Sequence, residues 1–382
     1  MKKFLDCISI VGATPSKFHG TKKYVSTGAV ATTEIDESEV VEVTYEDRPS
    51  RANLSAEAGD ILFAKMQGTR KTLLLDSETE ENIYSTGFYA VRANPEAITT
   101  ECLYYLIDSE LFLAQKDKNC SGATQKAITN GGMAKIEISV PALSEQGILV
   151  NKLKHLTQLI ADKKKQLNLF DEIIKSRFIE MFGDPVTNPL RWAMLPLEKC
   201  LTVLGGYAFK SEEFKTSGVP VLRIGNINTG AFTPTNMVYW SKDDCLTRYQ
   251  VLPGDLVISL TGTVGKDDYG NVCILGDAYP MYYLNQRNAK LILDDELNKH
   301  YLSELLKFSQ IKKKLTGISR GVRQANISNR DILNLVVPIP PIEIQVQFAA
   351  FVEQVDKSKF EIQQSLEKLE ILKKSLMQQY FG

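Results

Sequence analysis

The side chains best suited to chemistry are few in this sequence and stand apart from one another. Six cysteines (Cys7, Cys102, Cys120, Cys200, Cys245 and Cys273) form no Cys-x-x-Cys pair, so they read as reduced, mostly buried thiols rather than disulfides or zinc ligands. The histidines His19, His155 and His300 are equally isolated, and no Ser/His/Asp or metal-ligand cluster stands out. The stretch Gly262-Thr-Val-Gly-Lys266 resembles a phosphate loop, but it lacks the required spacing and runs on into Asp267 instead of Ser or Thr. Glu213-Phe-Lys215 has nuclease-like spacing, yet such a triplet is common by chance. A Gly-rich dinucleotide fingerprint and an Asn-Pro-Pro-aromatic motif of amino-methyltransferase type are both missing. The expectation is a chain that performs no chemistry of its own.

Charge says more than reactive groups do. The net charge of −1 favours no partner, but the charges are segregated. Lys307, Lys312, Lys313, Lys314, Arg320, Arg323 and Arg330 occur with no acid among them. The matching stretch of the first half has Lys116, Lys118, Lys126 and Lys135 against Asp117 alone, while Glu34 to Asp47 is strongly acidic. A groove that tracks phosphates requires such segregation, and a solvated basic helix face produces it equally well. Hydrophobic content of 43% and charged content of 24% are those of a soluble globular protein. No apolar run approaches the ~18 residues of a membrane span, and no hydrophobic region follows the Met-Lys-Lys start. The expected location is cytoplasmic.

The elements that must position any binding residues are two long helices and the domains preceding them. Pro141 to Gly183 and Pro340 to Gly382 repeat one another without a gap: Gln146 answers Gln345, Leu167 answers Leu366 and Ser176 answers Ser375. Each opens on proline and closes on Phe-Gly, a normal start and stop. Apolar residues recur every seven. Leu149, Leu156 and Phe170 share one seam position of the first copy, and Leu153, Ile160, Leu167, Ile174 and Met181 the other. In the second copy Phe348, Val355, Ile362, Leu369 and Leu376 take the first position, with Val352, Leu366 and Tyr380 on the second. This spacing predicts a coiled coil of two helices, each roughly 60 Å long at 1.5 Å per residue. An antiparallel register that sets Lys163 opposite Leu366 also sets Arg177 opposite Val352, Lys359 against Phe170 and Lys373 against Leu156. Every seam cation then lies over an apolar residue along which its stem packs.

The repeat extends into the domains. Leu5 to Ser16 resembles Leu197 to Phe209, and Ala58-Gly-Asp-Ile-Leu62 matches Pro253-Gly-Asp-Leu-Val257. In both, Gly-Asp turns the chain into a short strand that ends in a Gly-Thr loop. A helix follows in each half, then a polar segment (Ser121 to Thr129; Arg320 to Ser328), then a last strand. The predicted class is α+β with an internal two-fold pseudo-repeat. The predicted parts are a domain over 1–142, a helix over 143–184, a domain over 185–339 and a helix over 340–382. The linker Gly183 to Pro189, with two prolines, suits a bend and not a disordered tether.

This order of parts, with Gly-Asp-Ile-Leu-type strands and a Pro-x-Leu/Ile-x-x-Gln start to each helix, closely resembles the specificity (S) subunit of type I restriction–modification systems over essentially the whole chain. The departures are local: Pro141-Ala-Leu stands where Pro340-Pro-Ile does, and Gly131-Gly132 where Arg330-Asp331 does. The resemblance implies a non-catalytic reader of duplex DNA. Two target-recognition domains would each read half of a bipartite, asymmetric site, and two antiparallel helices would fix the unread spacer. Two adenine methyltransferase subunits would dock on the chain, with restriction/motor subunits completing the enzyme. No cofactor is then expected in this chain: S-adenosylmethionine belongs to the methyltransferase partner, ATP and Mg to the restriction partner. Base reading needs Arg, Lys, Gln, Asn and Thr on loops that reach a groove, with phosphate contacts setting position. The candidates are Lys65, Gln67, Thr69, Arg70 and Lys71 after the first strand, and Thr261, Thr263 and Lys266 at the matching place. The polar segments add Thr124, Gln125 and Lys126, and Arg320, Arg323 and Gln324. Replacing Arg320 and Arg323 by Ala is expected to weaken DNA binding with the fold intact, by about 1–3 kcal/mol for each base no longer read. Affinity unchanged over a range of salt would remove the segment from the interface. The rival classes are a coiled-coil scaffold whose end domains bind proteins, and a methyltransferase or nuclease fused to a reader.

Overall fold

A computed structural model describes residues 1–227, 229–263, 268–317 and 324–382, with Gln324 described in its backbone alone. The chain forms two compact units, Met1–Lys165 with Gln363–Gly382, and Gln166–Ile362. Their strands follow one plan, as the internal repeat predicted. In the first unit an antiparallel sheet runs Ile8–Val11, Phe88–Ala93, Ile61–Ala64, Thr72–Leu74 in spatial order. A second sheet runs Val41–Val43, Lys22–Val25, Ile83–Ser85, Ala52–Leu54, with its two middle strands parallel. The second unit repeats both sheets: Leu201–Gly205, Asn288–Leu293, Leu256–Ser259, Val272–Ile274, and Val238–Trp240, Val219–Leu222, Tyr282–Leu284, Gln250–Val251. Again only the middle pair of the second sheet is parallel.

The Gly-Asp turn shows why the repeat keeps those two residues. Gly59 and Gly254 have φ of +86° and +87°, a left-handed conformation open to glycine without a Cβ penalty. The next carboxylate closes the turn: Asp60 Oδ2 accepts from Glu57 N at 2.9 Å, and Asp255 Oδ2 from Leu252 N at 2.8 Å. A cation on the neighbouring strand holds each, Arg92 Nε at 2.6 Å from Asp60 Oδ1 and Lys290 Nζ at 2.7 Å from Asp255 Oδ2. The strand beyond (Ile61–Ala64 or Leu256–Ser259) is buried along its whole length, as a central strand covered on both faces should be.

In the first unit α1 (Thr100–Ile107), α2 (Glu110–Lys118) and the short α3 (Asn130–Met133) lead to α4 (Leu143–Phe182). In the second, α5 (Lys299–Lys307), α6 (Ser309–Thr316) and α7 (Asn329–Leu333) lead to α8 (Ile342–Phe381). The glutamine at the start of each long helix, which the sequence shows as a bare motif, is fully buried and bonded the same way in both units. Gln146 Oε1 accepts from Thr99 N at 2.7 Å, and its Nε2 donates to Pro141 O at 3.0 Å and Ala97 O at 3.4 Å. Gln345 Oε1 accepts from Asn298 N at 2.9 Å, and its Nε2 donates to Pro340 O at 2.7 Å and Glu296 O at 3.1 Å. Each amide thus ties the start of a long helix to the residue capping α1 or α5.

The long helices bury their ends in the domain cores. In the first unit Leu149, Val150 and Leu153 of α4 join Met377 and Phe381 of α8 beneath α1. In the second, Phe178 and Phe182 of α4 meet Tyr301 of α5 and Phe348 of α8, with ring centroids 4.8–5.5 Å apart. A fully buried Phe or Leu is worth about 1.5–3 kcal/mol, so these ends anchor the helices. Within each unit the two segments run antiparallel, as predicted. Lys359 Nζ lies 2.7 Å from Asp171 Oδ1, and the Arg177 guanidinium lies 5.8 Å from the Phe351 ring centre. Both contacts fall within one residue of the partners that the seam cations selected. Gly183 to Pro189 forms an ordered turn: Asp184 Oδ1 accepts from Val186 N at 2.7 Å, and Trp192 Nε1 donates to Phe182 O at 2.9 Å. Among the described residues no helix is long and apolar enough to cross a membrane.

Candidate nucleic-acid interface

The predicted segments meet in pairs. In the first unit the strand Ile61–Ala64 runs out into Lys65 to Lys71, and the polar segment Ser121 to Lys126 returns beside it. Ile128 N donates to Lys65 O at 2.9 Å and Gln67 N to Lys126 O at 2.9 Å. In the second unit Thr261–Thr263 pairs antiparallel with Gln324–Asn326, and Ile327 N donates to Leu260 O at 2.8 Å. Regions distant in sequence therefore build one loop pair on each unit, at the end of the same central strand.

Individual side chains divide between holding this pair and facing solvent. Lys116 of α2 is 2% exposed, and its Nζ donates to Ala64 O at 3.2 Å, Met66 O at 3.0 Å and Thr69 O at 2.7 Å. Asp117 Oδ1 lies 3.6 Å from that ammonium, and burial pushes the lysine below its ordinary pKa. Asp117 Oδ2 accepts from Gly68 N at 3.0 Å, and Gln67 Nε2 donates to Asp117 O at 3.3 Å. Arg70 makes two bonds to the buried Asp108 carboxylate, at 3.0 and 2.9 Å. Lys71 donates to Thr27 O. Lys65 donates to Thr86 O at 2.9 Å and sits 4.3 Å from the Tyr89 ring centre, where burial lowers its pKa.

These cations hold the loop in shape, whereas Gln67, Thr124, Gln125 and Lys126 are exposed. In the second unit Thr263 is exposed and its hydroxyl donates to Asp268 Oδ2 at 3.0 Å; the Thr261 hydroxyl is buried and has no hydrogen-bond partner among the described residues. Lys266, Arg320 and Arg323 lie outside the described residues. Lys312, counted in sequence among the groove cations, is buried and donates to Asn271 Oδ1 at 2.5 Å. Glu213 and Lys215, the nuclease-like triplet, diverge: Glu213 meets Lys210 at 3.4 Å and Lys215 meets Ser241 Oγ at 2.5 Å. No group of His, Cys, Asp and Glu among the described residues has the arrangement to hold a metal.

One feature has no signature in the sequence. An open cavity of about 580 Å³ in the second unit is bordered by Arg223, Asn236, Gln286 and Arg287 together with Phe209 and Phe214. Arg223 and Arg287 lie far apart in the chain and border one cavity only because the strands preceding them pair in parallel, Val221 with Tyr283 and Leu222 with Leu284. Leu260 N donates to Arg287 O at 2.8 Å, so the cavity adjoins the Thr261–Thr263 strand.

Known proteins match this architecture. The type I restriction enzyme MjaVIII specificity subunit of Methanocaldococcus jannaschii is 27% identical over 265 residues, 63% of this chain and 60% of that protein. The EcoKI specificity subunit of Escherichia coli is 26% identical over 193 residues, 46% of this chain and 39% of that protein. The matched part is thus less than two thirds of the length of each of these relatives. Among solved structures, a type I restriction–modification S subunit from M. genitalium superposes with TM-score 0.56 at 13% identity, covering 100% of this chain and 95% of that one. A chain from a study of type I complex assembly gives TM-score 0.52 at 20% identity, covering 98% and 97%. Those two likenesses are of fold. The sequence model of the type I restriction modification DNA specificity domain matches residues 10–169 and again 189–373, once in each half of the repeat, and on that ground the chain belongs to the type I restriction–modification DNA specificity family.

Proposed function

We propose that this chain is the DNA sequence-recognition subunit of a type I restriction–modification complex, each unit reading one half of a bipartite, asymmetric site. The observation that supports it most is the repetition of one fold with unlike loop pairs: Lys65 to Lys71 beside Ser121 to Lys126, and Thr261–Thr263 beside Gln324–Asn326. Equal frames with unequal side chains read unequal sequences. The proposed division is reading domains over 1–142 and 185–339, and helices over 143–184 and 340–382 that dock two adenine methyltransferase subunits. Catalysis would then reside in the partners, with S-adenosylmethionine on the methyltransferase and ATP and Mg on a restriction subunit. A coiled-coil scaffold is the second reading, supported by the exposed apolar residues Leu159, Leu169 and Ile173 of α4.

Titration of the purified chain with duplex DNA over a salt series separates the two. A reader loses affinity log-linearly with salt, with a slope of about −0.9 for each phosphate neutralised. A scaffold binds no duplex at any salt. Methyl incorporation is expected only when the methyltransferase partner is added; robust incorporation by the chain alone would overturn the assignment.

A further inference from the structure

Three arginines of this chain pair with a carboxylate, Arg70 with Asp108, Arg92 with Asp60 and Arg177 with Glu180, and Arg48 is held by Tyr45 O and Asn53 Oδ1. The two arginines that border the cavity in the second unit are held less completely. Arg223 donates from Nη2 to Asn236 O at 2.6 Å, but its Nε is buried and has no hydrogen-bond partner among the described residues. Gln286 and Arg287 are exposed, and among the described residues the Arg287 guanidinium makes no hydrogen bond or ion pair. Among the described residues no acid borders the cavity. The nearest carboxylates in sequence are engaged, Glu212 by Ser211 at 3.3 Å and Glu213 by Lys210 at 3.4 Å.

The frame around these donors is rigid. Asn226 Oδ1 accepts from Arg223 N at 2.9 Å, and its Nδ2 donates to Thr233 O and Thr235 O at 3.1 and 3.0 Å. Asn285 Oδ1 accepts from Arg287 N at 3.2 Å, and Asn288 Nδ2 donates to Leu222 O at 2.8 Å. Buried asparagines thus pin both turns, which fixes where the two arginines leave the backbone. The first unit has the same turns without the arginines. Strand pairing puts Ser26 where Arg223 stands and Gly87 where Arg287 stands, since Lys65 N donates to Gly87 O as Leu260 N does to Arg287 O. A Cβ on Gly87 would lie 2.9 Å from Thr27 Cγ2, so a side chain there requires Thr27 to shift.

A buried guanidinium Nε without an acceptor is costly unless a ligand supplies one. An exposed, uncommitted arginine beside an exposed glutamine matches the donors that read a purine in the major groove, where arginine takes guanine O6 and N7 as a pair. We propose that Arg223, Gln286 and Arg287 form a base-reading pocket of the second unit, with Arg287 specifying a guanine in one half-site and Arg223 steadying the contact from behind. The proposal rests on the reading of this chain as a DNA recognition subunit. Phosphate oxygens are the other acceptor that this chemistry suits.

The test uses the full-length chain and selection from a pool of randomised duplexes, comparing the wild type with Arg287→Ala, Arg287→Lys and Arg223→Ala. Arg287→Ala is expected to lose the guanine preference at one position of one half-site, with affinity for the selected duplex down about tenfold to a hundredfold. Arg287→Lys retains the charge but not the paired donors, so it should relax the same position while keeping the salt slope. Replacing that guanine with 7-deazaguanine should weaken the wild type and leave Arg287→Ala unaffected. A loss uniform across all sequences with a shallower salt slope would assign Arg287 to phosphate and overturn base reading. Selected sequences unchanged in every variant would overturn it too. Failure of the proposed function looks different: the wild type itself selects no sequence and shows no salt-dependent binding.

Discussion

Truncated after Asp184, the chain is expected to run in solution as a dimer. The first unit draws Met377 and Phe381 into its core from the second long helix, and truncation removes both. Their counterparts in the repeat are Phe178 and Phe182, which seal the core of the second unit against Tyr301 and Phe348. A second copy of the fragment offers those phenylalanines to the vacated place, and each is worth about 1.5–3 kcal/mol when buried. The register agrees: in an antiparallel pair of first helices Lys163 meets Leu167 and Arg177 meets Leu153, so no cation opposes another. Light scattering at micromolar concentration should give twice the fragment mass, and with a methyltransferase partner the dimer should recognise a palindrome made from one half-site. A folded fragment that stays monomeric at every concentration would show the register to be wrong.

Lys116→Met is expected to be the most damaging single change near the first loop pair. It strips the hydrogen-bond donor from Ala64 O, Met66 O and Thr69 O together, and it leaves the Asp117 carboxylate without the ammonium 3.6 Å away. Breaking a buried pair from one side costs about 3–5 kcal/mol. In a unit of this size that lowers the thermal midpoint by roughly 10 °C. DNA affinity should fall with it, because the loop that carries Gln67 loses its support. Hydrogen exchange should place the loss at the amides of residues 65 to 71. Protection and affinity both unchanged would mean that Lys116 is dispensable to the loop.

The frame of this protein was legible because it is written in local rules applied twice. Glycine followed by aspartate appears before both central strands, since one supplies the left-handed turn and the other the acceptor that closes it. Seven-residue spacing marked both long helices, and Gln146 and Gln345 marked where each begins. The proposed interface was legible only as segments. Lys116, Lys312, Arg70 and Lys65 read in sequence as cations for a groove, but carbonyls and carboxylates from other elements converge on them, and no local pattern announces that convergence. The cavity that Arg223 and Arg287 border was not legible for the opposite reason. Neither sits in a charged cluster, and a parallel strand pair, formed between distant segments, brings them together.

Because Gln363–Gly382 belongs to the first unit, that unit has an assembly schedule of its own. At about 5–20 residues per second, the ribosome delivers Met377 and Phe381 on the order of 10–40 seconds after the helix against which they pack. For that interval Leu149, Val150 and Leu153 wait without that cover on a nascent chain, whereas the second unit, made from the continuous stretch Gln166–Ile362, holds all of its own parts before Met377 is made. Translation speed across the second half therefore sets how long an adhesive apolar stripe stays open. Two nascent chains on one messenger, each bearing Phe178 and Phe182, carry the means to fill it wrongly.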